Sequence, residues 1–210
     1  MANITRITEQ YIAEHPYIKD CLKKGLINYS SLARQIAAEL GVSLKENFDA
    51  ILIACRRYKR KLKNESAVEN RILKILKQSK IEIKNKILVV VIEKVHFSSI
   101  LTIEKEIKAA SEPFNIIEGT NSITIITSED FLELIRKTFR HNIIKESKNL
   151  IEVIIKSPKE IELTPGILHY IFSLFGEHGL NIVETMSCWT DTLLVIDEKD
   201  IAKAMEILRF

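Results

Sequence analysis

The chain has 210 residues, 46% of them hydrophobic, and a formal net charge of +3. That composition is typical of a soluble intracellular protein with a sizeable core, divided into two or three units. The apolar runs are too short to cross a bilayer and the first residues lack the apolar segment of a signal peptide, so we expect a cytoplasmic protein with no membrane partner.

Charge is distributed unevenly along the chain. Residues 1–66 carry twelve Lys or Arg against seven Asp or Glu, a net charge of +5, and the remainder is slightly acidic. The basic residues are densest over 56–63, and Asn64-Glu65-Ser66 follows them as a candidate boundary. The basic excess therefore belongs to the first unit.

The first unit is predicted to be helical. Apolar residues recur at helical spacing on both sides of Pro16 and stop near Gly25. The best-marked helix comes next, with Ser30 or Ser31 as its N-cap and Gly41 at its end.

A helix-turn-helix is the supersecondary motif that this unit resembles. Residues 32–43, with Gly41-Val42-Ser43 as the turn, look like the first half of a bacterial or archaeal example. A long helix is predicted to follow, from about Lys45 to Leu62. The resemblance weakens there, because Asn47 stands where an apolar residue is expected and the positive charge lies at the opposite end of the helix.

That basic helix end is a candidate nucleic-acid-binding site. Its charges attract phosphate groups but give no indication of base readout. The same residues would also complement the helix dipole of a solvated interdomain or dimerisation helix, and this alternative stays open. The candidate residues are Arg56, Arg57, Lys59, Arg60 and Lys61.

The rest of the chain contains an internal repeat. A strand is predicted to begin at Leu180-Asn181-Ile182-Val183. Phe114–Glu118 matches Leu180–Glu184, and each segment is followed by an apolar strand and then by an amphipathic helix with an acidic start. The opening strands of the two copies are predicted at 87–95 and 151–155. Residues 142–145 form either a short strand or a link between the copies.

The predicted fold class is α+β. A helical, helix-turn-helix-like unit over residues 1–66 precedes two ferredoxin-like βαββαβ modules, at 84–146 and 147–210. Helices are expected to cover one face of antiparallel sheets.

The second copy resembles the ACT domain, a small amino-acid-sensing module. The resemblance is carried by a strand, the segment Leu163-Thr164-Pro165-Gly166-Ile167-Leu168, an amphipathic helix, two strands and a last helix. The first copy has Phe97-Ser98-Ser99-Ile100 at the corresponding turn, without Pro or Gly. The tandem is similar to the paired ACT modules of aspartate kinases and of archaeal and bacterial regulators that join a helical unit to such modules.

The resemblance implies a site for an amino acid or similar small effector at the loop before the first helix. Independently, Gly166 permits close approach of the backbone, the first helical turn offers free N–H groups to a carboxylate, and Asn181 offers a donor and an acceptor. Alternatively, Pro165-Gly166 merely builds the turn and Asn181 satisfies local backbone. The implied effector-binding residues are Leu163, Thr164, Pro165, Gly166, Ile167, Leu168, Asn181 and Ile182.

Catalytic and metal-binding motifs are missing from the sequence. The five histidines are scattered, no HExxH, GxSxG or phosphate-loop pattern occurs, and the three cysteines are far apart. We therefore expect a non-enzyme with reduced thiols and no cofactor or metal. Trp189 lies in a short insertion relative to the first copy, where it either closes over a ligand or packs at a dimer seam.

The sequence thus predicts an amino-acid-responsive regulatory protein that binds a small effector through ACT-like modules. It is either a transcriptional regulator that contacts DNA or an allosteric or dimerisation subunit that docks on a separate biosynthetic enzyme. Exposed edge strands of ferredoxin-like sheets also favour a homodimer or larger assembly.

Overall fold

The computed structural model describes residues 4–62, 66–95 and 97–210. The chain divides into two compact units, Met1–Asn70 and Arg71–Phe210. Of the predicted boundary, Asn64 and Glu65 lie outside the described residues, and Ser66 begins a helix that the sequence reading did not include.

The first unit is helical, as its periodicity predicted. Its four complete helices are α1 to α4, in order Ile4–Glu14, Pro16–Lys24, Tyr29–Glu39 and Leu44–Leu62. Gly25 and Gly41 follow α2 and α3 with φ of 76° and 63°, a left-handed conformation that glycine adopts without strain.

The cap of α3 differs from the prediction. Asn28 is the N-cap, and its side-chain oxygen accepts hydrogen bonds from the N–H groups of Ser30 at 3.0 Å and Ser31 at 3.1 Å. The predicted serine cap was wrong because both serines already lie within the first helical turn, where their own N–H groups need an acceptor.

The core of the first unit forms where the apolar stripes of its helices meet. Ile51 and Cys55 of α4 are fully buried, with Phe48 and Tyr58 packed partly buried against the same cluster. The other members of the buried cluster are Tyr11, Ile12, Leu22, Leu32, Ala33, Ile36, Ala37 and Leu62.

The second unit alternates strands and helices. Helix α5, Ser66–Gln78, leads into it from the first unit. The strands β1 to β6 are Lys80–Glu93, Phe114–Glu118, Ser122–Ser128, Ile143–Lys156, Glu184–Cys188 and Asp191–Asp197. The helices α6 to α9 are Phe97–Ala109, Leu132–Phe139, Ile167–Glu177 and Ile201–Ile207, so the order β-α-β-β-α occurs twice.

All six strands form one antiparallel sheet in the order β2-β3-β1-β4-β6-β5. The central strands β1 and β4 each have 14 residues and serve both repeats. The first half of β1 pairs with the second half of β4 (Lys80 with Lys156), and their other halves pair with each other (Ile92 with Ile143). Lys86 and Asn149, both with φ of 55°, lie at the bulges between these halves.

The observed strand pairing corrects three predictions about where strands begin and end. The opening strand of the first copy begins at Lys80 rather than Ile87, and residues 143–145 belong to β4 rather than to a link. The strand predicted at Leu180–Val183 was wrong, because β5 begins at Glu184 and its register with β6 is equivalent to that of β2 with β3. The local sequence match aligned Asn115 with Asn181 and was three residues out of structural register, because Glu184 is the structural equivalent of Asn115.

Helices α6 and α7 pack on one face of the sheet. Ile100, Ile103 and Ile107 of α6 are buried against Leu88 and Val90 of β1. A second buried cluster lies on the other face of β1, formed by Ile87, Val89, Ile126, Leu150 and Val195. Within the described parts of the chain, no helix combines the length and hydropathy needed to span a membrane.

A buried charge also lies in the sheet. Glu152 of β4 is fully buried, and its carboxylate accepts a hydrogen bond from Nδ2 of Asn115 at 2.9 Å. Its other oxygen lies 3.0 Å from Nζ of Lys84 in an ion pair without hydrogen-bond geometry, and has no hydrogen-bond donor among the described residues. Three strand steps on a flat sheet measure about 14 Å. The sheet must therefore curl for Asn115, in β2, to reach β4.

Candidate effector-binding site and the basic helix end

The connection from β4 to α8 is a ten-residue loop that contains a 3-10 turn at Lys159–Leu163. The N–H of Ser157 donates to the carbonyl of Thr190 at 2.9 Å, which ties the start of the loop to the β5–β6 turn. Thr164 is buried, and its hydroxyl donates to the carbonyl of Glu160 at 2.8 Å. The loop and the hairpin turn are thus held side by side.

Gly166 is the N-cap of α8, with φ of 93° and ψ of −3°. The carbonyl of Gly166 accepts the N–H of Tyr170 at 2.9 Å, so the helical ladder begins there. A Cβ at this position would lie 3.3 Å from Cδ1 of Ile72 in α5. Glycine is required here by the left-handed backbone and by close packing on α5, and a side chain at 166 would meet protein whether or not a ligand were bound.

A cavity of about 370 Å³ lies at this helix start. Five of the predicted effector-binding residues line it: Thr164, Pro165, Gly166, Ile167 and Leu168. The remaining lining residues are Ile161, Glu162, His169, Ser187 and Trp189. Most of the walls are apolar, and Glu162 is the one carboxylate among these lining residues.

The other three predicted residues lie elsewhere. Leu163 is 83% exposed and does not line the cavity. Asn181 is exposed in the loop before β5, and Ile182 lines a second cavity of about 300 Å³ with Phe172, Val183, Glu184 and Thr185. Asn181 and Ile182 were predicted beside Gly166 because they were placed at the start of a strand that in fact begins at Glu184.

For Trp189 the sequence left two roles open, closure over a ligand or packing at a dimer seam. It occupies the two-residue turn between β5 and β6 with φ of 52°, a conformation that is strained for a bulky side chain. Its side chain is 59% exposed, so burial does not compensate for the strain. Nζ of Lys159 lies 5.4 Å from the centre of the Trp189 ring. The sequence had placed Trp189 in an insertion, and this prediction was wrong, because β5 pairs with β6 in the register in which β2 pairs with β3 and Trp189 is equivalent to Thr120. Ser187 carried no signal in the sequence.

The second cavity contains a perturbed carboxylate. Burial raises the pKa of Glu184, and the positive charge of Lys145 lowers it by a smaller amount. Glu184 pairs with Val195 in the same register in which Asn115 pairs with Ile126, so the two residues occupy equivalent places in the repeats. Desolvation therefore outweighs the attraction of Lys145 and disfavours the charged form of Glu184.

The basic end of α4 is partly engaged within the first unit. Nζ of Lys61 forms an ion pair with Glu9 at 2.7 Å, and the guanidinium of Arg56 lies 5.8 Å from the ring centre of Tyr29. Nζ of Lys59 approaches Gly25, at the C-terminal end of α2, where a cation complements the helix dipole. Three of the five candidate residues thus have local structural partners.

Arg57 and Arg60 are exposed, and within the described ranges neither forms an ion pair or hydrogen bond. The first turn of α4, which would face bases in a helix-turn-helix, carries Glu46, and Asn47 donates its side-chain N–H to the carbonyl of Ser43 at 2.8 Å. The arginines lie about 18 Å farther along the helix. The positive charge of α4 therefore lies at its C-terminal end, whereas a helix-turn-helix would contact bases through the N-terminal turn of this helix.

No group of three or more His, Cys, Asp or Glu that could hold a metal ion occurs in the part of the chain that the structure describes. No protein-family model matches the chain, and no curated protein matches it by sequence.

Solved structures do resemble the chain. Aspartate kinase from Clostridium acetobutylicum, an allosteric enzyme, aligns with a TM-score of 0.52 and 17% identity over 61% of this chain and 33% of the enzyme. The regulatory subunit of aspartate kinase from Thermus thermophilus aligns with a TM-score of 0.49 and 12% identity, over 61% and 92% of the two chains. Aspartate kinase from Synechocystis has a TM-score of 0.49 and 20% identity, over 61% and 26%.

The chain therefore spans about a third of the length of the Clostridium enzyme that it matches. At this level of identity the similarity concerns the fold. The architecture of the second unit is mixed α and β with a six-stranded antiparallel sheet. Over the aligned 61% of the chain, this fold resembles part of aspartate kinase.

Proposed function

We propose that the second unit binds one amino acid in the cavity between the β4–α8 loop and Trp189, and that the protein is a non-catalytic, amino-acid-responsive regulator. The observation that carries the proposal is the coincidence of a cavity of about 370 Å³ with the start of α8. Small-molecule sites have volumes of about 300–1,000 Å³ and combine apolar walls with a few polar groups. A single amino acid fits the lower end of that range.

The polar groups of the cavity suit the two charges of an amino acid. The N–H groups at the first turn of α8, with its partial positive charge, would receive the carboxylate. The carboxylate of Glu162 would receive the ammonium group. The predicted site is thereby revised: Ser187 and Trp189 replace Asn181 and Ile182 as the contribution of the hairpin.

The tandem repeat supports this assignment. We infer two interlocked ferredoxin-like, ACT-like modules at about 84–146 and 147–210, each using part of the central strand of the other as its fourth strand. The order β2-β3-β1-β4 for one repeat and β5-β6-β4-β1 for the other fits that description. Paired modules of this kind are an expected place for an effector to act.

For the helical unit that the sequence predicted over residues 1–66, a protein-contact role has more support than DNA binding. The acidic Glu46 lies in the first turn of α4, and Lys61, Arg56 and Lys59 already have local partners. We therefore favour an allosteric or dimerisation subunit acting on a separate enzyme. Transcriptional regulation through Arg57 and Arg60 is the alternative, and it requires duplex binding that weakens steeply with salt.

A homodimer remains part of the proposal. The edge strands β2 and β5 each have one strand neighbour within the described sheet. Unpaired edges invite pairing with another chain unless they are protected. Light scattering on the full chain measures this directly.

A thermal-shift screen of the full chain against the twenty amino acids tests the effector site. A ligand at about 100 times its Kd should stabilise the folded state by about 2.7 kcal/mol and raise Tm accordingly. Ser187→Tyr should fill the cavity and abolish the shift. The matched control, Thr120→Tyr, alters an exposed position in the corresponding hairpin turn of the first repeat and should leave the shift intact. No shift with any amino acid, or an equal shift in Ser187→Tyr, would contradict the proposal.

A further inference from the structure

The Trp189 ring borders the cavity and also lies near the ammonium group of Lys159. It lines the cavity, whereas Lys159, whose Nζ lies 5.4 Å from the ring centre, does not line it. The ammonium group is thus a neighbour of the indole that is not part of the cavity lining. A ligand side chain inside the cavity would meet an aromatic surface that already has a cation against it.

A positive charge close to an indole changes what else the ring attracts. Both faces of the ring are negative and attract cations, and the positive charge of Lys159 near the ring reduces the attraction that the ring offers to a second cation. A second ammonium or guanidinium group in the cavity would also face the like charge of Lys159. An apolar side chain meets neither obstacle, because its contact with the ring depends on surface buried rather than on charge.

The other walls of the cavity agree with this selectivity. Ile161, Pro165 and Leu168 present aliphatic groups, so a ligand side chain lying on them would be desolvated. Desolvation without a partner is costly for a charged group and favourable for an apolar one. Glu162 is the one carboxylate among the lining residues, and in the proposed binding mode it pairs with the α-ammonium group of the amino acid. His169, also in the lining, offers no negative charge to a cationic side chain.

We infer that Trp189 and Lys159 together make this cavity selective for amino acids with apolar side chains and exclude lysine and arginine. The inference rests on the proposed function, since it names the class of effector for the same cavity. Lys159 acts through the ring of Trp189 and is a positioning and selectivity residue. The strained backbone of Trp189, in an exposed turn that glycine would fit better, is consistent with a side chain retained for contact with a ligand.

The chain itself provides the probe, because Trp189 is its one tryptophan. Titration of the full chain with leucine, isoleucine, phenylalanine, lysine and arginine should change the indole fluorescence, with Kd for the best apolar amino acid at least ten-fold below that for lysine or arginine. Calorimetry run in parallel detects any binding that leaves the fluorescence unchanged.

Lys159→Met separates charge selectivity from general binding. It should tighten lysine binding about five-fold or more and leave leucine binding within two-fold of wild type. Lys137→Met, the same change at an exposed lysine of α7 in the first repeat, should alter neither. Trp189→Gly, which suits the left-handed turn and so preserves the hairpin, should weaken the apolar ligands about ten-fold by calorimetry.

The outcomes divide the two hypotheses. If calorimetry finds no amino acid bound, the proposed function and this inference both fail. If amino acids bind but lysine or arginine binds as tightly as leucine, or Lys159→Met leaves their ratio unchanged, the proposed function stands and this selectivity is overturned.

Discussion

The two repeats of the second unit share a sheet and differ in how they leave their first strands. In the first repeat three residues separate β1 from α6, and in the second ten residues separate β4 from α8. The longer loop, with the hairpin turn at Trp189, forms the cavity of about 370 Å³. The paired strands therefore form a framework common to both repeats, and the longer loop of the second repeat forms the candidate site. Binding residues are often found on loops that a rigid scaffold positions.

The repeats differ inside the sheet as well. At equivalent places in β2 and β5 stand Asn115, which hydrogen bonds the buried carboxylate of Glu152, and Glu184, which is partly desolvated. Asn115 is thereby committed to a contact within the sheet. At equivalent backbone positions, one repeat thus has a neutral amide that donates to a buried carboxylate, and the other has a carboxylate whose own burial raises its pKa.

The largest expected effect tests whether the two repeats unfold together. Ile107→Ala in α6 removes a fully buried side chain of the first repeat and should lower the free energy of unfolding by about 2–5 kcal/mol. Because β1 and β4 run through both repeats, the transition reported by Trp189 fluorescence, in the second repeat, should shift to lower urea concentration.

Leu101→Ala is the control for that experiment, since Leu101 lies on the same helix and is 40% exposed. It should have a clearly smaller effect. An unchanged Trp189 transition in Ile107→Ala would mean that the repeats unfold independently.

A smaller effect should follow from removing the hydrogen bond that joins β2 to β4. Asn115→Ala leaves one oxygen of the buried Glu152 without its donor and should cost about 1–3 kcal/mol of stability in urea unfolding. Asn142→Ala, where the exposed amide donates to Glu93 at 3.4 Å, should cost less than about 0.5 kcal/mol. Equal losses in the two variants would rule out a special role for the buried carboxylate.

The smallest effect concerns the pH dependence of Glu184. Because burial raises the pKa of Glu184 in the folded state, folding binds a proton more tightly there, and stability is lost as pH rises from the ordinary carboxyl value through the raised one. Glu184→Gln should remove this loss, so the variant should gain stability relative to wild type as pH rises through that window. Urea unfolding from pH 4 to 7 measures the difference, and parallel pH profiles for the two proteins would refute the expectation.

Local sequence was sufficient for the helices and for the turn at the candidate site. Periodicity and the left-handed Gly25 and Gly41 gave α1 to α4 to within a few residues, because those signals act within one or two helical turns. The same is true of the Pro165-Gly166 turn, whose neighbours line the cavity. The first half of β1 was missed because its alternating charged residues and half-exposed Ile83 look like a surface segment until β4, some 70 residues away, pairs with it.

By itself the sequence determined the helical first unit, the repeated β-α-β-β-α order and the glycine-opened start of α8, since each depends on backbone preferences and spacing among near neighbours. Only the tertiary structure decided that β1 and β4 are shared between the repeats, that β5 begins at Glu184, and that Trp189 rather than Asn181 faces the loop. Strand register and the meeting of a loop with a distant hairpin depend on long-range pairing, which no local pattern encodes.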